Sequence, residues 1–211
     1  LRYRLSPIQE PILIRGNPFM SYEDSRRLGE TVRQLFYESS MKLPRRVVLH
    51  KQTYFRKEEM EGLRAGLSGI NSVEMLEINY DSALRYVSSI RLADGKFDDD
   101  RFPIRRGTAL KIDDYSALLW VHGVTDAVNP KLKYFKGKRR IPTPIRVTRY
   151  AGNSDIVTIG NEILALSKMD WNSADMYSQL PATIQSSRQI ARIGSLLQRF
   201  GPTSYDYRLF I

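Results

Sequence analysis

An α/β fold with a mixed sheet and helices packed on its faces is what this sequence predicts, on three observations. Short β-type runs alternate with helical periodicity through the first 80 residues, hairpin signals follow, and the final third is helical. With 211 residues, 42% of them hydrophobic and 27% charged, the chain has the composition of a globular protein built on one core. No apolar run approaches the roughly 20 residues that a bilayer crossing requires.

In order along the chain, Ile12-Leu13-Ile14-Arg15 lies between Pro11 and Gly16 and predicts a short strand, with a loop through Asn17-Pro18 behind it. From Tyr22 to about Ser40 the residues Leu28, Val32, Leu35 and Phe36 recur at helical spacing, and Ser21 or Asp24 is placed to cap the start. Pro44 resets the chain before Val47-Val48-Leu49, which reads as a buried strand running into His50-Lys51-Gln52. Lys57 to Leu67 predicts a helix, with Gly66 and Gly69 fitting its end. VEMLEINY, residues 73–80, is the next strand. SIRLADGKF, RRGTALKIDDYSALLWVHG and TPIRVTRYAG then read as a meander, with Asp94-Gly95 marking one hairpin. Helices are predicted from Ser154 to Lys168 and from Ile184 to Phe200, with a break at Trp171-Asn172 between them. The opening LRYRLSPIQEP has no apolar signal-peptide core, and further chain is expected upstream of it.

Thirty-three Lys and Arg against 23 Asp and Glu leave a formal charge of +10. Such an excess favours a polyanion through counterion release and long-range steering. The sharpest charge run is KLKYFKGKRRIP, residues 131–142, expected to be an exposed loop able to touch phosphates. The absence of cysteine rules out a disulfide framework and thiolate metal sites, and fits a reducing, cytoplasmic setting.

The usual enzyme signatures are missing. There is no phosphate-binding P-loop, no dinucleotide fingerprint and no nucleophile elbow. His50 and His122 each end a β-type run without a paired nucleophile. The acidic clusters Asp98-Asp99-Asp100 and Asp113-Asp114 fall at turns, where solvation alone accounts for them. In the C-terminal third, a polar break holding Lys168, Asn172 and Ser173, then a Pro181 loop and a helix beginning near Ser186, form the kind of surface that receives phosphate oxygens; capping by Asn172 and Ser186 explains the same residues.

The ordered set ILIRGNPF (12–19), LPRRVVLHK (43–51), RRGTALKI (105–112), TPIRVTRYAG (143–152), ILALSKMDWNSAD (163–175), LPATI (180–184) and DYRLFI (206–211) resembles the Piwi domain of a prokaryotic Argonaute over nearly the whole chain. The resemblance implies a ribonuclease-H-like fold, a single Piwi domain over residues 1–211 with its first strand and a Mid domain upstream, and a function in holding a guide strand paired to a target. Members of that family that cut use a carboxylate tetrad around two divalent ions. By the same resemblance, one carboxylate position falls on Gln52, the preceding arginine on Lys51 and the last ligand on Arg188. A carboxamide and a guanidinium in those places oppose a pair of Mg²⁺ ions. They imply a non-cutting type with no catalytic residues of its own.

The remaining carry-overs concern the guide. Lys51, Lys168, Trp171, Asn172, Ser173 and Arg188 are implied backbone contacts, and the C-terminal carboxylate of Ile211 is the implied ligand for a structural Mg²⁺ at the guide 5′ phosphate. The expected partners are guide RNA, target DNA from plasmids or phage and an associated effector protein (a nuclease, an NAD-consuming or a membrane-acting protein), with no membrane contact by this chain. Two alternatives stand beside this expectation. One is a guide-directed, metal-dependent endonuclease using displaced carboxylates such as Glu58, Glu59 or Asp155, and the other a scaffold whose main partner is protein.

Overall fold

The computed structural model describes residues 2–4, 6, 8–81, 83–99, 104–126, 133–134, 141–169, 178–197 and 204–206, and for 2–4, 126, 133–134, 192–197 and 204–206 it describes the backbone alone. The elements run β1 (Arg2–Arg4), β2 (Ile12–Ile14), β3 (Asn17–Phe19), α1 (Tyr22–Ser40), β4 (Arg46–Lys51), α2 (Lys57–Gly66), β5 (Ser72–Tyr80), β6 (Ser89–Arg91), β7 (Phe97–Asp99), β8 (Ala109–Lys111), β9 (Ser116–Leu119), β10 (Thr125–Asp126), β11 (Lys133–Tyr134), β12 (Ile145–Ala151), α3 (Ile156–Leu166), α4 (Ala182–Leu197) and β13 (Ser204–Asp206). Five of the strands form one mixed sheet in the order β4-β5-β12-β9-β8. β4 and β5 pair in parallel, with α2 in the connection between them, as parallel neighbours require. β9 pairs antiparallel with both β12 and β8. The remaining strands pair two by two as β1–β13, β2–β3, β6–β7 and β10–β11. The α/β class with a mixed sheet is therefore as predicted.

The chain divides into two compact units, residues 1–77, 149–154 and 186–211 in the first and residues 78–148 and 155–185 in the second. In the first, α1 starts at Ser21, whose Oγ accepts from the Asp24 amide at 3.1 Å. Asp24 is not the cap. Its buried carboxylate accepts from the Gln9 and Glu10 amides and from Arg27, tying the preceding segment to the helix. Glycines let α1 and α2 meet backbone to backbone: a Cβ on Gly62 would lie 2.3 Å from the Tyr22 carbonyl oxygen, and one on Gly66 2.2 Å from that of Arg26. Gly66 does end α2, but close approach is its larger role. Phe55, Leu63, Met75 and Ala151 form the core here, with Leu28, Leu49, Met60 and Tyr150 packed against it.

Two expectations change in this unit. Asn17-Pro18 belongs to strand β3 rather than to a loop, because Arg15 (φ 48°) and Gly16 (φ 79°) make the whole reversal, and Pro18 is tolerated in a two-stranded ribbon. β4 is half-buried rather than buried, since among the described residues it is an edge of the five-stranded sheet.

In the second unit Ile104, Leu118 and Trp120 form a core cluster. The Asp94-Gly95 turn closes the β6–β7 hairpin, with Gly95 at φ 84°. That hairpin stands apart from the main sheet, so the antiparallel meander proper is β8-β9-β12. Lys133–Tyr134, inside the expected basic loop, is strand β11, while residues 135–140 lie outside the described part. Helix α3 is capped by Asp155, whose carboxylate accepts from the Val157 and Thr158 amides. Its C-terminal carbonyl at Leu164 accepts from Arg106. α4 begins at Ala182, just after Pro181, and so Ser186 lies inside the helix, buried, and is not a cap.

Candidate nucleic-acid interface

The end of β4 is organised by one carboxylate. Glu59 in α2 is fully buried, and it accepts from Lys51 Nζ at 2.6 and 2.7 Å, from the Met20 amide at 3.0 Å and from the Arg56 amide at 3.0 Å. A buried charge needs this degree of pairing and hydrogen bonding to be tolerated. The Lys51 ammonium also lies 4.6 Å from the Phe19 ring centroid and 5.3 Å from that of Phe55, so two π faces flank it. It donates further to the Tyr54 carbonyl oxygen at 3.3 Å, drawing in the turn that follows β4. Lys51 was expected as a point charge open to phosphate; its ammonium is instead engaged in an internal ion pair with a side chain only 21% exposed. The half-buried Gln52 and Thr53 follow at the tip, and Tyr54, 42% exposed, rests on Phe19 with ring centroids 4.7 Å apart.

Arg188 projects from α4 as an exposed cation, and Lys168 is exposed just beyond the C-terminus of α3. Neither is engaged in an ion pair among the described residues. No hydrogen bond joins Gln52 to Arg188 among those residues, so the structure places the two in one unit without linking their side chains. Trp171, Asn172, Ser173 and Ile211 lie outside the described residues. The displaced-carboxylate candidates are all occupied: Glu59 by the contacts above, Glu58 by Arg56 at 3.1 Å, and Asp155 by the helix it caps. His50 and His122 are likewise engaged by other groups.

A second buried carboxylate escaped the sequence reading. Glu74 sits in β5 between strand residues buried on both faces, and its Oε1 accepts from the Ser154 hydroxyl at 2.7 Å, the Ser154 amide at 3.0 Å and the Asn153 amide at 3.2 Å. Gly152, at φ 105°, is obligatory beside it, because a Cβ there would come within 1.8 Å of Glu74 Oε2. Arg149 donates to the Ser154 carbonyl oxygen, closing the same turn. The available signal was a glutamate inside VEMLEINY, a strand with no polar face to carry it. Tyr150 donates to Glu77 at 2.8 Å alongside, and burial together with that bond raises its phenol pKa above the ordinary tyrosine value.

Comparison with solved structures gives this geometry its context. The Clostridium butyricum Argonaute bound to a guide DNA and a 19-mer target DNA superposes with a TM-score of 0.63 at 15% identity, covering 87% of this chain and 22% of its own. Aa-Ago with externally bound siRNA gives 0.59 at 20% identity over 90% of this chain and 23% of its own. The chain has the ribonuclease-H-like fold of the Argonaute Piwi domain. Aquifex aeolicus Argonaute matches in the same way, with a TM-score of 0.56 at 19% identity over 89% of this chain and 24% of its own. This Piwi-like chain spans less than a quarter of the length of those Argonautes. No protein-family model matches it, and the search of curated proteins returns no match. Among the described residues, no helix is long and apolar enough to cross a membrane.

Proposed function

We propose that this chain is a non-cutting module that holds a guide strand, RNA, paired to a complementary DNA target. Base pairing reads the sequence while the protein contacts backbone and shape. The observation that carries this reading is the end of β4, where a carboxamide, Gln52, follows a lysine whose charge is neutralised internally by Glu59. Two-ion phosphoryl chemistry requires several carboxylates converging on the ions. At this tip a lysine already paired with Glu59 and a carboxamide supply no free negative charge for two divalent ions. A fold shared with proteins whose structures carry guide and target DNA or externally bound siRNA, and a formal charge of +10, support a polyanionic partner. Defence against plasmids or phage, with catalysis supplied by an associated effector protein, belongs to the same proposal.

The deciding experiment loads the protein with a guide, adds an end-labelled matched target and Mg²⁺ or Mn²⁺, and follows both retention and cleavage. Retention without a cut is expected. A discrete cut opposite the guide, lost on Gln52→Ala, would overturn the non-cutting assignment.

A further inference from the structure

The second unit holds a notch that the nucleic-acid reading does not use. It is a cavity of about 140 Å³ between the outer strands β8 and β9 and the first turns of α3, with Gly107, Ala109, Ala117 and Leu119 on its floor and Val157 and Gly160 on its wall. Cavities of this size accept a single benzene-sized group when their walls are apolar. Gly160 is the residue that opens it. A glycine in a helix interior is unfavourable relative to alanine and needs a reason. At Gly62 and Gly66 the reason is a packed backbone, whereas a Cβ on Gly160 would meet no atom within 4 Å.

The surroundings of the notch are those of an unfinished interface. β8 ends the five-stranded sheet among the described residues, and all three of its side chains are exposed. Its outer backbone edge is thus a template for an added strand. Val157 is exposed at the notch, at 59%, while Leu110, which pairs with Leu118, is exposed at 54% on the opposite face of β8. The rim charge runs against that of the molecule: Lys111 pairs with Asp114 at 2.6 Å, and Asp113 and Asp155 also act on its ammonium. Three carboxylates against one ammonium, in a chain of net charge +10, disfavour a phosphate backbone or an anionic membrane.

We propose that this notch and the β8 edge dock an extended, basic segment of a partner protein, which adds as a strand to β8 and seats one apolar side chain against Gly160. Charge complementarity selects the occupant: alternate residues of an added strand share a face, so one aliphatic residue with a lysine or arginine two positions to each side of it seats its anchor in the hollow and carries its cations on the same face toward Asp113, Asp114 and Asp155. The inference stands independently of guide binding.

The test uses a fluorescent seven-residue peptide with leucine at its centre, lysine two positions to each side of it and threonine elsewhere, and its counterpart with glutamate for lysine, in anisotropy titrations of the full chain. The lysine peptide is expected to bind, and the glutamate peptide to bind at least tenfold more weakly. Gly160→Leu extends a side chain into the notch from a position where a Cβ meets no atom within 4 Å; it should weaken the lysine peptide at least tenfold while leaving the melting temperature no lower and oligonucleotide affinity within twofold. Asp114→Lys, at a side chain 79% exposed, should weaken it several-fold, which covers any folding defect of the first variant. Methylating alternate peptide amides should abolish binding. Equal affinity for the wild type and Gly160→Leu, or no preference for the basic peptide, overturns the proposal. So does concentration-dependent self-association lost in Gly160→Leu, which would put a second copy of this chain in the notch.

Discussion

At the scale of single residues, the first unit is held by carboxylates whose hydrogen bonds are nearly all internal, and two predictions follow from how they are paired. Removing one partner of a buried ion pair leaves an uncompensated charge, whereas replacing both with apolar groups of similar volume is close to neutral. Lys51→Met should therefore cost about 3 kcal/mol in urea unfolding, and Lys51→Met combined with Glu59→Leu should recover part of that loss. An equal or larger cost in the double variant would mean that the Met20 and Arg56 amides, not the ammonium, are what Glu59 chiefly serves. Asp24 adds a pH dependence. Burial pushes its carboxyl up, but the amides of Glu10 and Gln9 and the Arg27 guanidinium outweigh it, and the folded value falls below the ordinary 3.8. A depressed folded value stabilises above the unfolded value and is lost as pH falls through the folded one. Asp24→Asn should thus be less stable than wild type at pH 7, by about 1–3 kcal/mol, and the two unfolding curves should converge below about pH 4. A constant offset down to pH 2 would remove the carboxylate from the account.

Among the elements, glycine substitutions separate close packing from open space. Gly62→Ala and Gly66→Ala force a methyl group into the opposing backbone of α1 and should each cost about 1–3 kcal/mol. Gly160→Ala meets nothing and should stabilise α3 by about 0.5–1 kcal/mol. Thermal melts of the three variants check both signs at once. This contrast also marks what was legible in the sequence. Periodicity gave α1, α2, β5 and the β12–α3 succession, because each is a local pattern with a cap or turn residue at its border. The turn at Arg15-Gly16 was missed because a positive φ at an arginine leaves no compositional trace. Gly62, Gly66 and Gly160 look alike in sequence; only the opposing element, or its absence, assigns them different roles. That Gln52 and Arg188 are not acidic is read directly from the sequence, while their place at ligand positions is implied by the resemblance alone. The neutralisation of Lys51 was not legible, since Glu59 reaches it from the next element, eight residues along the chain.

For the molecule as a whole, the excess of positive charge becomes a function only where cations remain unspent on internal carboxylates. Lys51 is spent on Glu59, and Arg146 on Asp81 at 2.8 Å, whereas Arg188 and Lys168 stay exposed and unpaired among the described residues. Each cation that contacts a phosphate contributes about one to the slope of log affinity against log salt. Arg188→Glu should accordingly weaken retention of a guide–target duplex and flatten that slope by one or more, and Lys168→Glu should do the same if it lies along the strand. Lys51→Met, tested in the stabilised double variant, should leave the slope unchanged, because its charge faces Glu59 rather than solvent. Titrations of labelled duplex from 50 to 300 mM salt separate the cases. A flattened slope for the Lys51 variant with an unchanged one for Arg188→Glu would reverse the assignment, making the internal ion pair the one that opens to receive the strand.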